Sequence, residues 1–262
     1  MKNHLIIKKE SLKDQRILFL GAGSAGIGIA NLLAFFLQQE GLSKQEALSL
    51  IYLFDQKGLL ESSRTDLLDF QKPYAHSHPS TNDLVFAIQS LKPTILIGVS
   101  TQGGAFTKQV VETLSHLNSR PIIFALSNPT EHAECTAEQA YEWSSGKALF
   151  AAGVQFDPVV YKGKTYFPGQ ANNFYIFPAV GMGILAAEAK KVNDEMFIEA
   201  AKAVADHVTA EQLSYGLLYP PQTDILNTAL LTAERVAKNI FDQNLSRIKR
   251  PLNIKELIQS HI

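Results

Sequence analysis

The chain has 262 residues, 46% apolar and 19% charged, with a formal net charge of −1, a globular rather than a disordered composition. So even a charge balance leaves no electrostatic footprint for nucleic acid or a membrane surface, and no stretch reaches the roughly 18 to 20 apolar residues that span a bilayer. Cys135 is the single cysteine, which excludes an internal disulfide; with no signal-peptide pattern at the start, the expected setting is cytoplasmic.

Residues 1–15 read as a polar lead-in. "RILFL" (16–20) is a short apolar run ending at glycines, the signature of a buried strand. The run from Gly26 towards Gly41 is helical, and Ser43 with Glu46 has the spacing of a capping box that opens a second, short helix. "IYLFD" (51–55) is the next strand, and the polar stretch from Gln56 to Thr81 reads mostly as loop. The alternation then resumes: a helix over "NDLVFAIQSLK", a strand at 94–100, a helix over 107–117, and a strand at 121–126. A capped helix over "TAEQAYEWSS" and a strand at 148–153 follow. "VVYKGKTYF" suggests a hairpin around Lys162 and Gly163, and the remainder is largely helical, with a Pro-Pro pair at 220 and 221 between two long helices. Buried strands separated by helices predict a parallel sheet covered on both faces. The expected fold is therefore α/β: a Rossmann-like doubly wound sheet over 16–176 with a helical C-terminal extension over 177–262 packed on the same domain.

"FLGAGSAGIGIA" joins the first strand to the first helix. Gly21, Gly23 and Gly26 satisfy G-x-G-x-x-G in the strand–turn–helix context that gives the pattern its meaning. Gly21 allows the tight turn, Gly23 lets backbone approach a pyrophosphate, and Gly26 permits close helix–strand packing. Free N–H groups at the helix start, at Ser24 and Ala25, suit an anion. Asp55 ends the second strand, where a carboxylate accepts from the adenosine ribose and disfavours a 2′-phosphate, so NAD is expected over NADP. It lies further along than the about 20 residues of a compact unit, and the inserted short helix accounts for the excess.

Ligands of open parallel sheets sit beyond the carboxyl ends of the strands. Three loops fall there. "GVSTQGGAF" carries Ser100, Thr101 and Gly103, and its glycines would admit a nicotinamide ribose. "SNPT" places Asn128 at a strand tip, where an Asx turn into Pro129 is the alternative. "GQANN" presents Asn172 and Asn173, whose amides require partners from loop backbone or from a ligand.

Taken together, "RILFLGAGSAGIGIANLL", "RPIIFALSNPTEHAECTAEQAY", "LFAAGVQFDPV", "FPGQANNFYIFP" and "GLLYPP" resemble, in order, the NAD-binding domain of malic enzymes. The resemblance runs from about Leu12 to Ser246. It implies that Asn128, Asn172 and Asn173 contact malate near the nicotinamide, donating to its carboxylate without adding charge. It also implies that Gln71, in the segment "FQKP", matches the Gln that NAD-preferring members often have there, whereas Lys72 beside it matches the Lys that NADP-preferring members use. The expected cofactor contacts are thus Gly21, Gly23, Ser24, Ala25, Gly26, Asp55, Gln71, Ser100, Thr101, Gly103, Asn128 and Asn172. In the family a divalent metal (Mg or Mn), bound by acidic residues, and the catalytic Lys and Tyr lie upstream of the glycine loop, and no matching residues stand here. The resemblance therefore implies an isolated chain that binds NAD weakly and turns over negligibly, and a full-length homo-oligomer acting on malate to give pyruvate. Conversion of malate to lactate by the malolactic branch, and a non-catalytic NAD-binding module, are the alternatives; an unrelated Rossmann dehydrogenase is a more distant one.

Overall fold

The computed structural model describes residues 1–214 and 216–261. The elements, in order, are α1 (Lys2–Lys8), β1 (Ile17–Leu20), α2 (Ser24–Gln39), α3 (Lys44–Ser49), β2 (Ile51–Asp55), β3 (Gly58–Leu59), α4 (Leu84–Leu91), β4 (Ile95–Gly98), α5 (Lys108–Leu117), β5 (Ile122–Ala125) and α6 (Ala137–Trp143). They are followed by β6 (Leu149–Ala152), β7 (Val159–Tyr161), β8 (Lys164–Tyr166), β9 (Gly169–Gln170), α7 (Phe177–Ala186), α8 (Asp194–Asp206), α9 (Ala210–Ser214), α10 (Ile225–Asp242) and α11 (Ile254–Gln259). The chain divides into two compact units: Met1 with Asn3–Ala171, and the residues from Asn172 on with Lys2.

The described residues of the first unit form a seven-stranded sheet in the order β3-β2-β1-β4-β5-β6-β9. All neighbours run parallel except β3, which folds back antiparallel on β2. The five long apolar runs of the sequence are its five central strands, and β1, β4, β5 and β6 are buried at every residue. Burial on both faces is what removes the alternation of a half-exposed strand and makes such runs continuous. Leu18, Leu20, Leu96, Ile123 and Phe150 point to one face, into a core with Ile88, Leu91, Val111, Leu114 and Tyr141. From β1 the chain steps to β2 on one side and then crosses back to β4 on the other. That reversal opens a crevice beyond the carboxyl ends of β1 and β4.

Three elements differ from the sequence expectation. The lead-in contains α1, whose Asn3, His4 and Leu5 are buried; the His4 ring lies 4.8 Å from that of Phe124, and burial lowers its pKa well below the ordinary histidine value. The polar stretch after β2 yields β3, and "GQ" after the hairpin becomes β9, paired with β6. The hairpin itself is β7 and β8, antiparallel and separate from the main sheet.

In the second unit α7, α8 and α10 share a core of Ala179, Val180, Met196, Ala200, Ala233, Val236 and Ile240. Gly183 of α7 lies so close to α10 that a Cβ there would stand 2.8 Å from the Ala233 carbonyl oxygen and 2.9 Å from Val236 Cβ. The backbones approach because no side chain intervenes. Among the described residues no helix is long and apolar enough to cross a membrane.

Candidate functional site

The glycine loop leaves β1 at Gly21, whose φ of 120° is a conformation L side chains rarely adopt, and a Cβ there would meet the Val99 carbonyl oxygen at 2.5 Å. At Gly26 a Cβ would be 2.1 Å from the Gly21 carbonyl oxygen. Gly26, Ala30, Ala34 and Leu37 form the buried stripe of α2, so small residues set this helix close to the strand it follows. Gly23 is different. No atom lies within 4 Å of the position its Cβ would take, and the residue is exposed together with Ser24 and Ala25. Gly23 is also the N-cap of α2 and brings no side-chain cap. An exposed helix start with uncapped N–H groups and open space at the middle glycine fits a pyrophosphate, whose charge the helix dipole favours.

Asp55 ends β2 as the sequence placed it, but its carboxylate is already engaged. Arg64 Nη1 donates to Oδ1 at 3.0 Å and Nη2 to Oδ2 at 2.8 Å, while the Lys57 N–H donates to Oδ1 at 2.8 Å. The same guanidinium spans Asp66, with Nε to Oδ1 and Nη2 to Oδ2 both at 3.0 Å. Bonds to Asp66 first and Asp55 second hold Arg64 above its usual pKa; bonds from Arg64 and then Lys57 hold Asp66 below the carboxylate range. The negative charge expected to repel a 2′-phosphate thus has a bidentate cation on it.

Gln71 is buried, and both ends of its amide are bound to main chain. Nε2 donates to the Ala22 carbonyl at 3.0 Å, and Oε1 accepts from the Leu68 N–H at 3.0 Å. It is a strut between the segment after β2 and the glycine loop. Lys72 beside it pairs with Asp69 at the surface.

The loop after β4 is tightly tied. The Ser100 N–H and hydroxyl both donate to Glu134, and the Thr101 N–H donates to Ser127 Oγ at 2.9 Å. A Cβ at Gly103 would lie 2.0 Å from the Glu131 carbonyl oxygen. The missing side chain there admits protein backbone. Asn128, past β5, is exposed, and its peptide to Pro129 is cis. In the second unit Asn172 Oδ1 accepts from the Phe174 N–H at 3.2 Å and caps a 3-10 turn, whereas Asn173 is exposed. Among the described residues, no group of three or more His, Cys, Asp or Glu side chains is arranged to hold a metal ion.

The sheet order, the crevice and the glycine loop define the class of dinucleotide-binding α/β domains. The chain belongs to the malic enzyme family: the family model described as "Malic enzyme, NAD binding domain" matches residues 1–241. It is 48% identical over 253 residues to a chloroplastic NADP-dependent malic enzyme of Flaveria trinervia, covering 95% of this chain and 39% of that protein. It is 43% identical over 260 residues to the NADP-dependent malic enzyme of Columba livia, covering 98% and 47%. The chain thus spans less than half the length of these curated relatives. The crystal structure of the Entamoeba histolytica malic enzyme shares the fold with a TM-score of 0.77 at 22% identity, over 99% of this chain and 49% of that one. That of the NAD-dependent malic enzyme of Thermotoga maritima does so with a TM-score of 0.68 at 23% identity, over 90% and 55%.

Proposed function

We propose that this chain is the dinucleotide-binding part of a metal-dependent malic enzyme that oxidatively decarboxylates malate to pyruvate and CO2. One observation carries the reading on the structural side: the exposed, uncapped start of α2 beside the open space at Gly23, within a chain of this family. The N–H groups of Ser24, Ala25 and Gly26 would receive the pyrophosphate, and the loops bearing Ser100, Thr101, Gly103 and Asn128 would flank the nicotinamide end. Asn128, Asn172 and Asn173 would hold the malate carboxylates by neutral donors. The nicotinamide, when bound, supplies the hydride acceptor. Metal ligands and the proton-transferring Lys and Tyr would come from sequence outside these residues, a division supported by the fraction of each relative that is matched. In the full-length protein the family resemblance favours a homo-oligomer and a cytoplasmic setting, although some of the relatives are named as chloroplastic.

NAD is the cofactor favoured by the family resemblance at Gln71, in a segment where NAD-preferring members often have Gln, and by the carboxylate of Asp55, while Lys72 in the same segment matches the Lys of NADP-preferring members. The second reading, NADP, is favoured by the names of the relatives in Flaveria and Columba and by the Arg64 guanidinium, which offsets the charge of Asp55. Fluorescence titration with NADH and NADPH separates them: tighter NADH binding is expected, and the reverse order would establish the second reading. Malate-dependent, metal-dependent reduction of NAD by the chain alone would refute the proposed division of labour. Lactate without NADH from the full-length enzyme would place it in the malolactic branch.

A further inference from the structure

Glu134 is fully buried, one residue before Cys135 and outside every loop assigned above. Its carboxylate is met by hydroxyls and main-chain N–H groups. Oε1 accepts from the Ser100 N–H at 3.0 Å, from Ser100 Oγ at 2.8 Å and from Ser127 Oγ at 2.5 Å, and Oε2 accepts from the Ser127 N–H at 3.3 Å. Ser100 lies just past β4 and Ser127 just past β5, so one side chain clasps the tips of two adjacent strands. The clasp extends outward. Ser127 Oγ accepts from the Thr101 N–H at 2.9 Å, and Ser100 Oγ accepts from the Gln102 N–H at 3.1 Å.

Two further features show that the chain is built around this group. Gly98 leaves room for it: a Cβ at that position would stand 2.3 Å from Glu134 Cδ. Thr101 has a φ of 59°, left-handed backbone that a β-branched residue holds only when its surroundings over-determine it. The bond to Ser127, itself fixed by Glu134, supplies that constraint. Main chain reinforces it, because the Phe106 N–H donates to the Glu134 carbonyl at 2.9 Å and the Gly104 N–H to the Ala133 carbonyl at 3.1 Å.

We propose that Glu134 is a positioning residue for the nicotinamide half of the dinucleotide site, shaping the loop at 99–104 and the strand tip that leads to Asn128. The inference rests on the dinucleotide reading above. Each of the four bonds to the carboxylate is donated by its partner, three to Oε1 and one to Oε2, so an amide of the same shape sets an NH2 group against a main-chain N–H in either orientation, Ser100 at the Oε1 place or Ser127 at the Oε2 place, and breaks the clasp there. The adenosine half, built on Gly23, Asp55 and Gln71, has no bond to Glu134.

The test compares NADH with ADP, a probe that lacks the nicotinamide, on wild-type chain and on Glu134→Gln, by calorimetry, with melting temperature measured alongside. NADH affinity is expected to fall by about tenfold, the lower end of what loss of a supporting shell costs elsewhere, with the blue shift of bound NADH emission reduced. ADP affinity should stay within about twofold, since distant sites behave independently. Ser127→Ala, which removes the link to Thr101 and one of the four bonds to the Glu134 carboxylate but keeps the Ser100 side of the clasp, serves as the milder variant if Glu134→Gln fails to fold, and the same split is expected of it. Equal losses for both ligands, or none for either, would overturn the inference while leaving the dinucleotide reading standing. Wild-type chain that takes up neither ligand would overturn both.

Discussion

Gly23→Ala isolates the ligand's claim on the glycine loop from that of the protein. The residue has φ −81° and ψ −169°, which any L-amino acid adopts, and no atom stands within 4 Å of the new Cβ. Restricting the unfolded chain should stabilise the fold by about 0.4–1 kcal/mol. Against this, Gly23 is the N-cap of α2, and Ala is the poorer cap by roughly 0.5–1 kcal/mol. The two nearly cancel, so the melting temperature should move by no more than about 2 °C, given roughly 2–4 °C per kcal/mol at this size. NADH binding should nevertheless weaken by at least about tenfold, or 1.4 kcal/mol, because the methyl occupies space meant for the pyrophosphate. Gly26→Ala is the contrast: its Cβ would fall 2.1 Å from the Gly21 carbonyl oxygen, so it should cost about 1–3 kcal/mol of stability even without ligand. Differential scanning fluorimetry and NADH titration on both variants decide the matter. Unchanged NADH affinity in Gly23→Ala would refute the idea that the vacant space belongs to the cofactor.

The second unit yields its own expectations. Gly183→Ala should cost about 1–3 kcal/mol by forcing α7 away from α10, read as a lower denaturation midpoint with an unchanged slope. Tyr175→Phe removes the 2.6 Å bond from the hydroxyl to the Pro220 carbonyl and should cost about 1–3 kcal/mol, because that acceptor is left unmet in a buried place. The Tyr175 phenol, pushed up to about 12 by burial, should remain protonated in spectrophotometric titration at pH 10.5. Burial pushes the Glu199 carboxyl up, but bonds from Lys202 and Arg235 outweigh it and leave the group below its ordinary value. A depressed carboxylate contributes stability above its unfolded pKa, near 4.3, and loses it as pH falls through the folded value. Arg235→Met should therefore lower stability by roughly 0.5–1 kcal/mol at neutral pH, with the difference from wild type shrinking in melts at progressively lower pH below about 4.

How far the fold could be read in advance followed from how local each cause is. The runs at 16–20, 51–55, 94–100, 121–126 and 148–153 became β1, β2, β4, β5 and β6, β2 with its bounds unchanged and the others trimmed by a residue or two at an end, because burial on both faces writes itself into contiguous residues. The capping box of Ser43 and Glu46 formed as its spacing predicted. β3 and β9, two residues each, were hidden because their pairing depends on β2 and β6 and not on their own pattern. α1 was hidden because Asn3 and His4, polar by type, are buried by what packs on them.

At the candidate site, the glycine loop was legible since a strand, a turn and a helix start all lie within a dozen residues. Glu134 was not, because Ser100, its first partner, is far off in sequence and only the sheet brings them together. Gly103 invited a ligand-based explanation for the same reason: the carbonyl of Glu131 that fills its space comes from another loop. The two-pronged grip of Arg64 on Asp55 was hidden too, because the chain must first fold back through β3 to bring the guanidinium to the end of β2.

The main sheet is bordered on one side by Gly58–Leu59 and on the other by Gly169–Gln170. Rims this brief present almost no unpaired ladder to a foreign chain, and so guard against runaway stacking into fibrils. Pairing through the borders of the main sheet is accordingly disfavoured, whereas the separate hairpin of β7 and β8 keeps its faces largely exposed.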